Sequence, residues 1–157
     1  MRAKMEGLKK DYLIKITGKQ TVDGEQDVIE LETTGHYEEV DGVKYIYYTE
    51  YIEEEDGDSE RDTVVEIKGD SLVSIIRTGE YESRLMLELD SQHQCLYQTP
   101  FGNLMITVFT TVIDFKLNDD GGYISVVYSL NFNSDFGSEN EFSIELRRLS
   151  AAFAAEF

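Results

Sequence analysis

Apolar and polar residues alternate with a period of two along most of this chain. Ile124, Val126, Tyr128, Leu130 and Phe132 fall on one face, with Ser125, Ser129 and Asn131 on the other. Phe142, Ile144 and Leu146 alternate with Ser143, Glu145 and Arg147. Tyr12, Ile14 and Ile16 alternate with Lys15 and Thr17, and Leu85, Leu87 and Leu89 with Arg84, Met86 and Glu88. A two-residue period marks a strand with one face in a core and one in water. Strands of a parallel sheet covered by helices would read as continuous apolar runs instead. The apolar positions are rich in β-branched and aromatic residues, which suit a pleated surface.

Turn signals separate these runs at strand-length intervals: Asp23-Gly24, Asp41-Gly42, Asp56-Gly57, Gly69-Asp70, Thr99-Pro100-Phe101-Gly102, Asp119-Asp120-Gly121-Gly122 and Asp135-Phe136-Gly137. Asp-Gly supplies the positive φ of a tight hairpin, and such short connections join antiparallel neighbours. The pattern predicts strands at 11–19, 26–39, 43–53, 62–68, 71–78, 82–90, 93–98, 103–118, 122–133 and 140–149. Some of these can merge, leaving about eight to ten. So many sequential strands in an open sheet would leave two long unpaired edges. Closure removes them, so the expected fold is all-β, a single antiparallel up-and-down barrel, with a two-sheet sandwich as the alternative. In 104–117 the apolar phase is even at Leu104, Ile106 and Val108, then odd at Phe109, Ile113, Phe115 and Leu117. That switch predicts a bulge near Val108–Thr111, or else a strand buried on both faces at one end.

Composition adds limits. The chain has 157 residues, which suits one domain, with its core at about 10–149 and a short apolar tail at 150–157. Asp and Glu number 32 against 14 Lys and Arg, a net charge of −18. This opposes binding to nucleic acid, which needs a basic face, and docking on an anionic membrane. Cys95 is the single cysteine, so no internal disulfide is possible. No apolar run follows the basic start MRAKMEGLKK as a signal peptide requires, and none is long enough for a membrane helix. The expected location is cytoplasmic. The run 53–62 holds seven acidic residues among its ten, but its spacing does not fit a calcium loop, so it reads as a solvated connection. In the tail, Ser150 can cap a short helix that places Phe153 and Phe157 on one face; docking and fraying are both open to it.

Several segments resemble a known family when taken in order. They are Asp11–Gln20, Asp27–Tyr37, Tyr45–Glu50, Arg77-Thr78-Gly79, Tyr97–Gly102, Gly121-Gly122 and Tyr128-Ser129-Leu130. Together they are similar to the YwiB-like domain-of-unknown-function family of small bacterial proteins, over roughly 10–149. The resemblance implies a calycin-like, lipocalin-like barrel in a bacterial cytosol, and no activity. The chain lacks any Trp, and so lacks the Gly-x-Trp signature of lipocalins proper. Arg147-Arg148-Leu149 also lacks the Tyr of the Arg-x-Tyr carboxylate clamp of fatty-acid-binding proteins. Barrel shape alone therefore gives no lipid-carrier function.

Arg77 is the first candidate for chemistry. It follows Val73 and Ile75 in phase, and a buried guanidinium needs a carboxylate or a bound anion. Leu72, Ser74 and Ile76 form an alternative inner face that would turn it outward. Tyr45, Tyr47 and Tyr51 share one face of their strand, and Ile46, Tyr48 and Ile52 the other. A row of phenols lines a cavity or forms an aromatic ladder across strands. Arg77, Tyr45, Tyr47, Tyr97 and Tyr128 make up the candidate ligand-binding set. No catalytic residue, metal ligand or cofactor is assigned: His36 and His93 are isolated, and no nucleophile elbow, phosphate loop or Cys-x-x-Cys is present.

Three functions compete. The first is a barrel that binds a small molecule, anionic or amphipathic, inside or at its rim, which requires a cavity of several hundred Å³, the usual pocket range of roughly 300–1,000 Å³. The second is an interaction or structural module, monomeric or homodimeric, with an exposed apolar patch. The third, a hydrolase-like enzyme built on a carboxylate and a histidine, has the least support in the residues.

Overall fold

A computed structural model describes residues 7–52, 57–133 and 136–149. Ten strands form in the expected places: β1 (Tyr12–Val22), β2 (Glu25–Val40), β3 (Val43–Ile52), β4 (Ser59–Lys68), β5 (Leu72–Thr78), β6 (Ser83–Glu88), β7 (Gln92–Thr99), β8 (Gly102–Asn118), β9 (Gly121–Asn133) and β10 (Phe136–Arg148). Each pairs antiparallel with the next, and β1 pairs with β10, so the sheet closes into a barrel. Closure settles the choice between barrel and sandwich. Among the described residues there is no helix, and so none that could cross a membrane. Residues 53–56 of the acidic run and the tail 150–157 lie outside the described residues.

Local chemistry sets the hairpins. Asp23 and Gly24 take φ of 51° and 79°, and Asp41 and Gly42 take 53° and 80°. Two consecutive positive φ values make a type I′ turn, whose twist matches the strands it joins. Register follows from there: Val22 faces Glu25, and Val40 faces Val43. At the β8–β9 turn the Asp120 amide donates to Asn118 Oδ1 at 2.8 Å. Gly122 then takes φ 135°, and a Cβ there would run into the Lys116 carbonyl, so only glycine fits.

The predicted phase switch in β8 is a bulge. The pairing with β9 slips between Thr110 and Val112. Ile106, Val108 and Thr110 point inward and are fully buried before it, and Ile113, Phe115 and Leu117 pack against the core after it. The bulge bends the β8–β9 hairpin across one end of the barrel. There Tyr12 donates to the Asp119 carbonyl at 2.6 Å, and the Lys44 ammonium sits 5.9 Å from the centre of the Phe115 ring. Above this closed end, the interior is layered with aliphatic side chains. Ile46, Val65, Ile75 and Leu85 sit opposite one another on β3 to β6, each with 0–1% exposure. Cys95 belongs to the same core and is a packed thiol.

One seam is weak. β6 and β7 share a single register pair, Ser83 with Tyr97, whereas the other neighbours share ladders of six or more pairs. His93 Nε2 and Glu88 Oε1 span the seam farther along, at 3.1 Å.

Core and surface aliphatics should respond differently to truncation. Ile75→Ala opens a cavity in the layered core and is expected to cost about 2–5 kcal/mol in chemical denaturation. Ile29 is 73% exposed, and Ile29→Ala is expected to change stability by less than about 0.5 kcal/mol. Equal losses at both positions would contradict this placement of the core.

Candidate functional site

The two ends of the barrel differ in chemistry. The bulged hairpin closes one with apolar side chains. At the other, where the β5–β6 and β7–β8 turns lie, the inward positions turn polar. One inward row runs from β3 to β7 in direct register: Tyr48 opposite Thr63, Thr63 opposite Arg77, Arg77 opposite Ser83, and Ser83 opposite Tyr97. One rung nearer the mouth, Arg61 Nη2 donates to Glu50 Oε2.

Arg77 keeps the phase of Val73 and Ile75 and points inward. Its Nη1 donates to the Tyr97 hydroxyl at 3.5 Å, a long contact. Its Nε is buried without a partner, and it forms no ion pair among the described residues. Burial works against its charge. The Tyr48 and Tyr97 oxygens, the Glu50 carboxylate and the Tyr128 oxygen more than counter this, so its pKa lies above the ordinary arginine value. Arg77 therefore stays charged in a place where a charge demands company.

The neighbours of Arg77 are under-satisfied too. Tyr48 and Thr63 are 1% and 0% exposed, and neither hydroxyl reaches a well-formed hydrogen bond. Burial drives the Tyr48 phenol far above its usual range, with Arg77 pulling against it. Tyr128 is raised in the same way, by burial first and against the opposing pull of Arg77. Thr110 faces Tyr128 in register and also has an unpartnered hydroxyl. On the far wall Asn140 Nδ2 donates to Ser138 Oγ at 2.9 Å, and Gln20 Nε2 to the same oxygen at 3.4 Å. Native interiors leave few such groups unpaired, so several at one end is unusual.

A cleft of about 290 Å³ opens at this end. Its walls include Arg61, Ser83 and Tyr97 from the inward rows, and Glu80, Tyr81 and Glu82 from the β5–β6 turn. Tyr97 both lines the cleft and touches Arg77, and so connects the rim with the buried row.

Of the candidate set, the structure brings Arg77, Tyr97 and Tyr128 together. Tyr45 and Tyr47 stand elsewhere, on the outer face of β3. The pleat puts Ile46 and Tyr48 in the core, and their odd-numbered neighbours outside. There the Tyr45 and Tyr47 rings stack with centres 6.0 Å apart, and Tyr47 stacks on His36 at 6.1 Å. Tyr47 donates to Glu38 Oε1 at 3.0 Å, and His36 Nδ1 lies 2.8 Å from Asp11 Oδ1. This is the aromatic ladder, separated from Arg77 by the sheet. The residues that take their place inside are Tyr48, Thr63, Glu50 and Arg61. Tyr48 carried a legible signal, since it shares its phase with Ile46. The Glu50–Arg61 pair depends on a register that sequence alone leaves open.

The molecule is thus a closed ten-stranded antiparallel barrel with one apolar, capped end and one polar end bearing a cleft. The chain belongs to the family described as domain of unknown function DUF1934, whose model matches residues 14–144. It is 28% identical over 113 residues to the uncharacterised beta-barrel protein YwiB of Bacillus subtilis (strain 168), which covers 72% of this chain and 76% of that protein. The crystal structure of ywiB protein from Bacillus subtilis superposes with a TM-score of 0.77 at 22% identity, covering 94% of this chain and 99% of that one. That likeness extends to the fold.

The buried phenols give the barrel an alkaline limit. Burial raises Tyr37 to about 12, and Tyr48 rises as well, from an ordinary value of 10.0. A phenol that holds its proton more tightly folded than unfolded contributes stability that is complete below about pH 10. That contribution disappears as pH rises through about 12. Ultraviolet titration should show Tyr37 and Tyr48 ionising after the exposed tyrosines, with denaturation midpoints falling from about pH 10 upward. Simultaneous ionisation of all the tyrosines in the folded barrel would contradict these environments.

Proposed function

We propose that this protein binds a small molecule at the polar end of its barrel, with an anionic group of the ligand seated against Arg77. One observation carries the reading: a half-buried, inward arginine without an ion-pair partner among the described residues, its Nε buried and unmatched. Arginine presents a planar fork of donors suited to carboxylate or phosphate, and an anion there would supply the missing acceptor. Tyr97, Tyr128 and the hydroxyls of Tyr48 and Thr63, which make at best a weak bond to each other, offer further polar contacts. The 290 Å³ cleft sits at the lower limit of ligand pockets, which favours a compact ligand or a head group over a long chain. A calycin-like barrel that uses its mouth as a binding site is consistent with this arrangement.

The surroundings support a water-facing, cytoplasmic protein. Glu30, Glu32 and Glu145 project outward and are exposed, which suits neither lipid nor a phosphate backbone. The lone buried thiol suits a reducing compartment.

Native mass spectrometry of the full chain, purified from its source under non-denaturing conditions, tests the binding. The expected result is a retained small anionic molecule that is absent from Arg77→Met protein whose circular dichroism remains that of a β-barrel. Retention of the same molecule by Arg77→Met would overturn the assignment. So would a wild-type protein that carries no ligand and shows no Arg77-dependent response to phosphate or carboxylate in NMR titration.

A further inference from the structure

We infer that the ligand is a zwitterion: its anionic group lies toward Arg77, and a cationic group rests at the rim between Glu80, Glu82 and the ring of Tyr81. This rests on the anion-binding reading above and adds the second half of the ligand. The rim and the floor of the site carry opposite charge. The Glu50 carboxylate answers Arg61 at the mouth. Glu80 and Glu82 line the cleft, are exposed, and form no ion pair among the described residues. Glu60 lines the same cleft. The rim is therefore acidic, while Arg77, joined to the cleft through Tyr97, is basic and forms no ion pair among the described residues.

A simple anion fits this arrangement poorly. It must pass carboxylates to reach the guanidinium, and like charges raise its energy along the way. A simple cation is held at the rim but leaves Arg77, Tyr48 and Thr63 unmatched below. A molecule carrying both charges satisfies both layers. Tyr81, 39% exposed on the same turn, and Tyr97 line the cleft, and aromatic rings suit an ammonium group.

Phosphoethanolamine and inorganic phosphate, titrated separately into the full chain at low ionic strength, are the probes. They share the anionic group and differ in the ammonium. Phosphoethanolamine is expected to bind about tenfold more tightly, the scale of two exposed ion pairs acting together. Added salt should narrow the gap, since the rim charges are exposed. Glu80→Gln/Glu82→Gln should abolish the preference while leaving phosphate binding unchanged or stronger; both residues are exposed, so folding is not at risk. Equal affinities for the two probes, or a preference that survives the double substitution, would overturn the zwitterion while leaving the anion site standing. Binding of neither probe, or binding indifferent to Arg77→Met, would bring down the anion site and this inference with it.

Discussion

The ladder between β1 and β10 is the contact on which the rest of the barrel depends. It runs from Tyr12–Arg148 to Thr21–Glu139 and joins the two ends of the sheet. Every other strand-to-strand ladder links consecutive strands, and beyond the ladders a bridge joins Leu89 to Thr110. Without β1–β10 the sheet would present two long edges of unpaired amides and carbonyls, and its inner face would lose its opposite wall. Closure satisfies both demands at once. It also carries the largest loop-closure cost in the molecule, because the partners lie at opposite ends of the chain. The layered aliphatic core, with Ile14, Ile16, Ile144 and Leu146 from these two strands, offsets that cost.

Given closure, the interior must be filled, and this chain fills its two halves differently. The bulge after Thr110 lets one long strand serve two purposes. Its first part lines the barrel wall, and its second folds Phe115 and Leu117 over one end. The other end receives Tyr48, Thr63, Arg77, Ser83 and Tyr97 in a single polar row. A buried charge and several unmatched hydroxyls reduce stability, and well-packed apolar residues of similar volume would remove that cost. One such hydroxyl, that of Tyr37, lies at the capped end, but Arg77, Tyr48 and Thr63 lie together in the polar row, next to a cleft.

The acidic excess divides along the same lines. Much of it coats the outward positions, as at Glu30, Glu32 and Glu145, where it keeps the sheet hydrated. A smaller part, Glu80 and Glu82, lines the cleft. The first part hydrates the outer face; the second lines the cleft.

Much of the architecture was legible in the chain itself. Strand positions, Asp-Gly hairpins and the phase switch in β8 follow from local periodicity and φ preferences, which neighbouring residues impose on one another, whereas the inward face of β5, and with it Arg77, was decided by its register against β4 and β6. The family resemblance rested on the order of the same segments. What sequence could not settle was which face of β3 and of β5 meets the interior. Tyr45, Tyr47 and Tyr48 are chemically alike, so their pattern leaves the strand free to face either way. The choice was made by register across strands, where Ile46 meets Val65 and Val65 meets Ile75 in one closed core. A one-residue slip would exchange every side chain between core and water. Tertiary closure therefore decided that Tyr48 stands beside Arg77, while Tyr45 and Tyr47 form a ladder on the outside.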